Sequence, residues 1–234
     1  MRGGLPPLPS LFDPVPLGAG EEARARAMAL APERGGGTLT WLATSERVEA
    51  ALVVEPEEPL AAARAAVLAA ASALADALGV LGPPEIPVTL RWPAGIVLNS
   101  AVVGEAMLGE PPDTAPEERP DWLVVGFRAR WRHPPGHQPG LDPGRTALAE
   151  EGFLEVPPEE LVAAWARHLM AGFAEWQARG FSAMAERVLA RLEVEGWMAG
   201  ARRGLDPASG DLILRRAGED ARHSLAAALA EAGA

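Results

Sequence analysis

Apolar and polar positions along the chain separate into blocks of helical and strand period. Residues 21–30 predict a short helix, stopped by Pro32 and the run Gly35-Gly36-Gly37. Residues 38–43 and 48–54 predict two strands around Thr44-Ser45-Glu46-Arg47, a hairpin. Residues 59–78 predict a long Ala/Leu helix, with Glu57 and Glu58 placed favourably before its N-terminus and Gly79 at its end. Short strands follow over 88–92, 96–98 and 101–108, the last two joined by an Asn99-Ser100 turn. Residues 122–131 predict a strong strand whose first residues, Trp122-Leu-Val-Val-Gly-Phe, are apolar enough to be buried on both faces.

The C-terminal half changes period. Over 157–179, Leu161, Trp165, Leu169, Phe173 and Trp176 form one apolar stripe of a helix, and 181–192 continue as a second helix after Gly180. Strands return over 198–205 and 212–215 around an Asp206-Pro207-Ala208-Ser209-Gly210 turn, and the Ala-rich residues 220–232 predict a final helix. Residues 1–20 carry five prolines and predict an extended arm laid on a surface. The Pro-rich segments 110–120 and 133–144 predict surface loops. Strands and helices are segregated, so the expected class is α+β with a mixed or antiparallel sheet packed with helices, plus a small C-terminal β-module. The expected division is 1–193 for the main domain and 194–234 for the module.

Composition narrows the chemistry. The 234 residues contain twenty-one arginines and no lysine, cysteine or tyrosine. Mechanisms that need a side-chain ammonium, thiolate or phenol are therefore closed to this polypeptide alone. Forty-seven alanines and arginine in place of lysine match the coding bias of a GC-rich, bacterial-type genome. A net charge of −11 leaves no broad basic face for nucleic acid or an anionic membrane. The longest apolar run, over 65–75, is short of a membrane span and contains Ser72, and the N-terminus lacks the apolar core of a signal peptide. The expectation is a cytoplasmic protein. His133 and His137 stand four apart in a Pro/Gly loop, where that spacing has no fixed geometry, so no metal site is assigned.

Four strings, taken in order, resemble the biotin/lipoate protein ligase family in its biotin-ligase-like branch. Arg91-Trp92-Pro93-Ala94-Gly95 through Asn99 to Ala101-Val102-Val103-Gly104 is similar, without a gap, to the family's basic residue before W-P-N-D, a hairpin, and a lysine three residues before glycine. Pro120-Asp121-Trp122-Leu123-Val124-Val125-Gly126 resembles the strand that follows. Thr146-Ala-Leu-Ala-Glu-Glu-Gly152 resembles the family's T-S-L-x-E-x-G, and Arg203-Gly204-Leu205-Asp206 with Gly210-Asp211-Leu212-Ile213-Leu214 resembles the R-G-I-D strands of its C-terminal module.

The resemblance implies a reaction in which ATP activates a carboxylic acid as an acyl-adenylate, which then passes to a carrier-protein lysine. An anionic carboxylate must approach an anionic phosphate, so positive charge has to be concentrated where charge builds up. Counting back from Trp41, the family's arginine-rich G-R-G-R-x-G-R-x-W loop falls on Glu33-Arg34-Gly35-Gly36-Gly37-Thr38-Leu39-Thr40-Trp41, which keeps one arginine, Arg34. The three glycine N–H groups offer an anion cradle, against the plainer reading of a turn before a strand. The family lysine falls on Ala101, and the Asn and Asp of W-P-N-D on Ala94 and Gly95.

By resemblance, then, the candidate ligand cleft comprises Arg34, Gly35, Gly36, Gly37, Trp41, Arg91, Trp92, Pro93, Gly95, Asn99 and Gly104. Biotin, lipoate or octanoate and ATP are its candidate ligands, and a carrier protein is its candidate partner. One reading is a ligase-like protein with lost or altered catalysis that binds a ligand or partner. The alternative is an active ligase or acyltransferase in which Arg34, Arg91, Arg128 and Arg130 replace the family lysine, with Arg91 as the catalytic candidate. The two differ in whether arginine head groups converge on the Trp92/Gly35 cleft.

Overall fold

A computed structural model of the chain describes residues 4–134, 136–137 and 142–232. The predicted loop over 133–144 therefore lies partly outside the described residues. Seven strands form the main sheet: β1 (Asp13–Pro16), β2 (Thr38–Ala43), β3 (Arg47–Val54), β4 (Val88–Arg91), β5 (Gly95–Leu98), β6 (Ala101–Gly109) and β7 (Leu123–Arg130), in the order β1-β2-β3-β7-β6-β5-β4. All neighbours are antiparallel except β1, which runs parallel to β2. The mixed sheet and its helices are the α+β class that the periodicity predicts.

The N-terminal arm lays Leu5 and Leu8 on the main core, as expected, and its residues Asp13–Pro16 add an edge strand to the sheet. Asp13 and Leu17 donate their N–H groups to Gly37 O and Trp41 O, both at 2.9 Å. Pro14 and Pro16 occupy the alternate positions, where a parallel strand turns its N–H away from its neighbour, so neither proline interrupts the pairing.

Helix α1 (Ala23–Arg34) lies on one face of the sheet. Its small residues Ala23, Ala27 and Ala31 let it approach Leu42, Ala51, Val53 and Val124 closely. The helix runs through Pro32 instead of stopping there, because a proline in the last turn removes only one backbone bond, and Gly35 N–H closes the end on Ala31 O at 3.0 Å. The other face carries α3 (Ala66–Leu81) and α4 (Pro158–Arg179), which enclose the main core around Leu39, Leu52, Leu68, Leu74, Ile96, Phe127 and Trp165. Phe127 and Trp165 meet edge to face at 5.1 Å, and Trp165 Nε1 donates to Ala70 O at 3.1 Å. The residues Leu123 to Phe127 are buried on both sheet faces, as their unbroken apolar run predicts.

The single helix predicted over 59–78 is two, α2 (Leu60–Ala63) and α3, with a tight turn at Arg64 and Ala65. Arg64 is held there by paired hydrogen bonds to Glu110, both 2.9 Å. By length and composition the stretch Leu60–Leu81 could cross a membrane, which the sequence reading excludes; it is mostly buried between the sheet and α4 as a core element.

Helix α5 (Phe181–Arg191) is fastened to α3 by Arg187 and Arg191, both on Asp76. A second sheet follows: β8 (Arg202–Leu205), β9 (Leu212–Arg216) and β10 (Glu219–His223), then α6 (Leu225–Ala232). The single helix predicted over 220–232 is thus corrected, since its first residues pair with β9 through a two-residue turn at Ala217-Gly218, where Gly218 has φ 89°. Asp211 Oδ1 accepts the first N–H of α6, from Leu225, at 2.9 Å.

Candidate functional site

Cross-strand register builds a charged row on the α1 face. Glu49 on β3 stands opposite Arg128 on β7, which stands opposite Glu105 on β6; one step further, Arg47 faces Arg130. Residues directly opposed on neighbouring strands share a face, so these side chains project together. Helix α1 begins over Glu49, and the face beyond it is uncovered. There a groove of about 370 Å³ is lined by Glu46, Arg47, Val102, Val103, Gly104, Glu105, Arg128, Ala129, Arg130, Arg132, Pro134 and Arg145.

Five arginines reach this groove, but their charges are not equally available. Arg47 and Arg128 are paired with Glu49 at 3.2 and 2.7 Å, and Arg128 also with Glu22 at 3.1 Å. Burial works against the Arg128 charge, yet Glu49, Glu22 and Glu105 together outweigh it and hold its pKa above the ordinary guanidinium value. Among the described residues Arg145 has one distant ion-pair partner, Asp142, at 3.5 Å. Arg130 donates to the Thr146 carbonyl at 3.1 Å, and among the described residues neither it nor Arg132 has an ion-pair partner. The groove can therefore hold an anion on Arg130 and Arg132.

His133 and His137 stack at 3.6 Å beside this region, with His133 Nε2 3.4 Å from Glu150. Burial pushes the His133 pKa down, against the pull of Glu150. Among the described residues no group of three or more His, Asp or Glu side chains is placed to hold a metal ion.

The residues expected in one cleft are distributed over the sheet. Gly104 lines the groove, and the Asn99-Ser100 turn, with φ 49° and 72°, lies at the same end of the sheet. Ala101, at the lysine position, is buried immediately before the lining residues. Gly104 serves strand packing: a Cβ there would overlap the Arg128 carbonyl oxygen of β7. Arg91, Trp92, Pro93 and Gly95 belong to the β4–β5 turn, with a cis Trp92–Pro93 peptide; Gly95 stands opposite Glu105 of the groove in the β5–β6 register, and Arg91 is engaged by Glu193 at 3.0 Å. Trp41 is buried on the α3 face, in the main core.

Arg34 and Gly35 to Gly37 sit at the opposite end of β2 and β3 from the groove, about 23 Å away by the length of β3. The three glycine donors are already used, Gly35 N–H on Ala31 O, Gly36 N–H on Glu55 Oε1 at 2.8 Å and Gly37 N–H on Val53 O at 2.9 Å, and Arg34 Nη2 is paired with Asp13 at 2.8 Å. The glycine run is a turn from helix to strand. Among the described residues no arginine cluster forms between Trp92 and Gly35; the convergence is at Gly104. Sequence reasoning picks out Arg128 and Arg130 but not Arg47, Arg132, Arg145 or Glu49. The available signal is the spacing of two in Arg128, Arg130 and Arg132, which puts three cations on one side of an emerging strand.

Comparisons with known proteins agree on the kind of molecule. The biotin--[acetyl-CoA-carboxylase] ligase of Paracoccus denitrificans is 29% identical over 163 residues, or 68% of this chain, and the match spans 65% of that ligase's length. A biotin protein ligase-like protein of unknown function from Silicibacter has a similar structure at 27% identity and TM-score 0.81, with 95% of this chain and 98% of that one covered. Biotin protein ligase from Aquifex aeolicus, solved with biotin and ATP, shares the fold at 13% identity and TM-score 0.65, with 90% and 94% covered. Residues 5–190 match the biotin/lipoate A/B protein ligase family, and the chain belongs to it.

Proposed function

We propose that this chain binds a small anionic acyl or nucleotide ligand in the Gly104 groove and does not carry out the family's ligase reaction. One observation carries the reading: the groove's cations are all arginines, two of them already engaged in ion pairs with Glu49 and Glu22, while the lysine position is a buried alanine. Acyl-adenylate formation requires donors free to meet charge as it develops, and loss of one such donor costs about 3 kcal/mol of transition-state stabilisation. Arg130 and Arg132 suffice to hold a carboxylate or phosphate but leave little for a second developing charge.

The relatives supply the ligands to try, since the Paracoccus protein is named for attaching biotin to a carboxylase and the Aquifex structure holds biotin and ATP. Thermal unfolding with biotin, lipoate, octanoate, ATP and the corresponding acyl-adenylates tests the proposal. A ligand present at about a thousand times its Kd stabilises by about 4 kcal/mol. The expected result is stabilisation by at least one of these, with no acid-dependent exchange of pyrophosphate into ATP and no transfer to a biotin- or lipoyl-carrier protein.

A second reading, catalysis by arginines, has the convergence of Arg47, Arg128, Arg130, Arg132 and Arg145 in its favour. Acid-dependent pyrophosphate exchange at an enzymatic rate decides for it and against the first.

A further inference from the structure

Beneath the groove lies a carboxylate whose burial is not accounted for by ligand contact. Glu49 has no exposed side-chain surface, yet it accepts hydrogen bonds from Arg128 Nε at 2.7 Å and from Ala23 N–H, in the first turn of α1, at 3.1 Å, and Arg47 Nε stands 3.2 Å away as an ion-pair partner. A carboxylate can be buried where such donors offset its lost hydration. The same bonds constrain the donors. Arg128 is held through Nε by Glu49 and through Nη2 by Glu22, and Arg47 through Nε by Glu49 and through Nη2 by the Glu21 carbonyl at 3.0 Å. Among the described residues Nη1 of both is without a partner.

We infer that Glu49 is a positioning residue of the groove, presetting Arg47 and Arg128 so that an anionic ligand meets ordered guanidinium groups. This rests on the groove being a ligand site. A long side chain fixed before binding loses no rotamer freedom when the ligand arrives, and affinity gains accordingly. Through Ala23 the same carboxylate also holds the first turn of α1.

The test uses the full chain as wild type, Glu49→Gln and Glu49→Asp, with inorganic pyrophosphate as the anion probe. Calorimetry gives its affinity, and NMR follows hydrogen exchange at Arg128 Nε, the nitrogen that donates to Glu49. In Glu49→Gln the Arg128 Nε hydrogen should exchange about ten-fold faster or more and affinity should fall about ten-fold, with Glu49→Asp between the two because the charge is retained at shorter reach. Unchanged exchange in a folded Glu49→Gln overturns the inference, as does unchanged affinity where the wild type binds. If Glu49→Gln does not fold, exchange and affinity in Glu49→Asp decide by the same criteria. Should the wild type not take up pyrophosphate, the ligand reading fails for this probe, and exchange alone decides whether Glu49 presets the arginines.

Discussion

Arg91 and Glu193 lock one edge of the large sheet to the chain leaving α5. Nε and Nη2 of Arg91 reach the same Glu193 oxygen at 3.1 and 3.0 Å, while Thr89 Oγ1 donates to the other oxygen at 2.8 Å. Next to them Glu193 N–H donates to Leu90 O at 2.8 Å, so the open edge of β4 is closed by backbone as well as side chain. The arginine before Trp-Pro is thus a structural tie. Replacing Arg91 by Ala should lower stability by about 1 kcal/mol, the range of a half-exposed charge-assisted pair. A melting temperature lower by ~2–4 °C is expected, and an unchanged one would show that the tie contributes nothing.

Arg130 and Arg132 should carry anion affinity. A hydrogen bond to a charged group contributes about 1.5–3 kcal/mol, so Arg130→Ala and Arg132→Ala should each weaken the ligand found by thermal unfolding about ten-fold or more. Calorimetry at low and high salt should show the difference shrinking as salt screens the site. Full affinity in the double variant would show that Arg130 and Arg132 do not hold the ligand.

Gly104 is fixed by its neighbour strand. Its absent Cβ leaves room for the Arg128 carbonyl and the Ala129 backbone, all within the sheet. Gly104→Ala must separate β6 from β7 locally and should destabilise by about 3 kcal/mol. Urea unfolding measures this, and a loss below about 0.5 kcal/mol would show that the strands yield freely.

Burial that lowers the His133 pKa makes stability depend on pH in one direction. The unfolded chain takes up a proton near the ordinary value of 6.5 and the folded chain only at lower pH, so between the two the unfolded state binds more protons. The contribution is complete above about 6.5, declines as pH falls, and is gone below the folded pKa. His133→Gln should flatten that part of the stability profile. If wild type and variant keep the same slope from neutral pH downward, another group is responsible.

What the sequence discloses here depends on whether the determining contact is local. The β2–β3 hairpin is legible because Thr44 to Arg47 form a turn between two β-rich runs, and the α4 stripe is legible because Leu161, Trp165 and Leu169 recur at helical spacing. The site is harder to read. Counting back from Trp41 treats nearness in sequence as nearness in space, but β2 carries Gly35 and Thr44 to opposite ends of the sheet. The residues that do converge, Arg47, Gly104, Arg130 and Arg145, come from separate segments, and only strand register joins them. The misread start of the last helix has a local cause: alanine content outweighs the signal of Gly218 between Arg216 and Glu219.

The alternation of prolines in β1 determines what the outer edge of the sheet offers to other molecules. Pro14 and Pro16 sit where an ordinary residue would point its N–H outward, so this edge presents no donor at either position. A further strand could not build a regular ladder there, whether from a second copy or from a misfolded chain. The arm that completes the sheet also ends it, and a protein with twenty-three prolines has two of them guarding against runaway self-association.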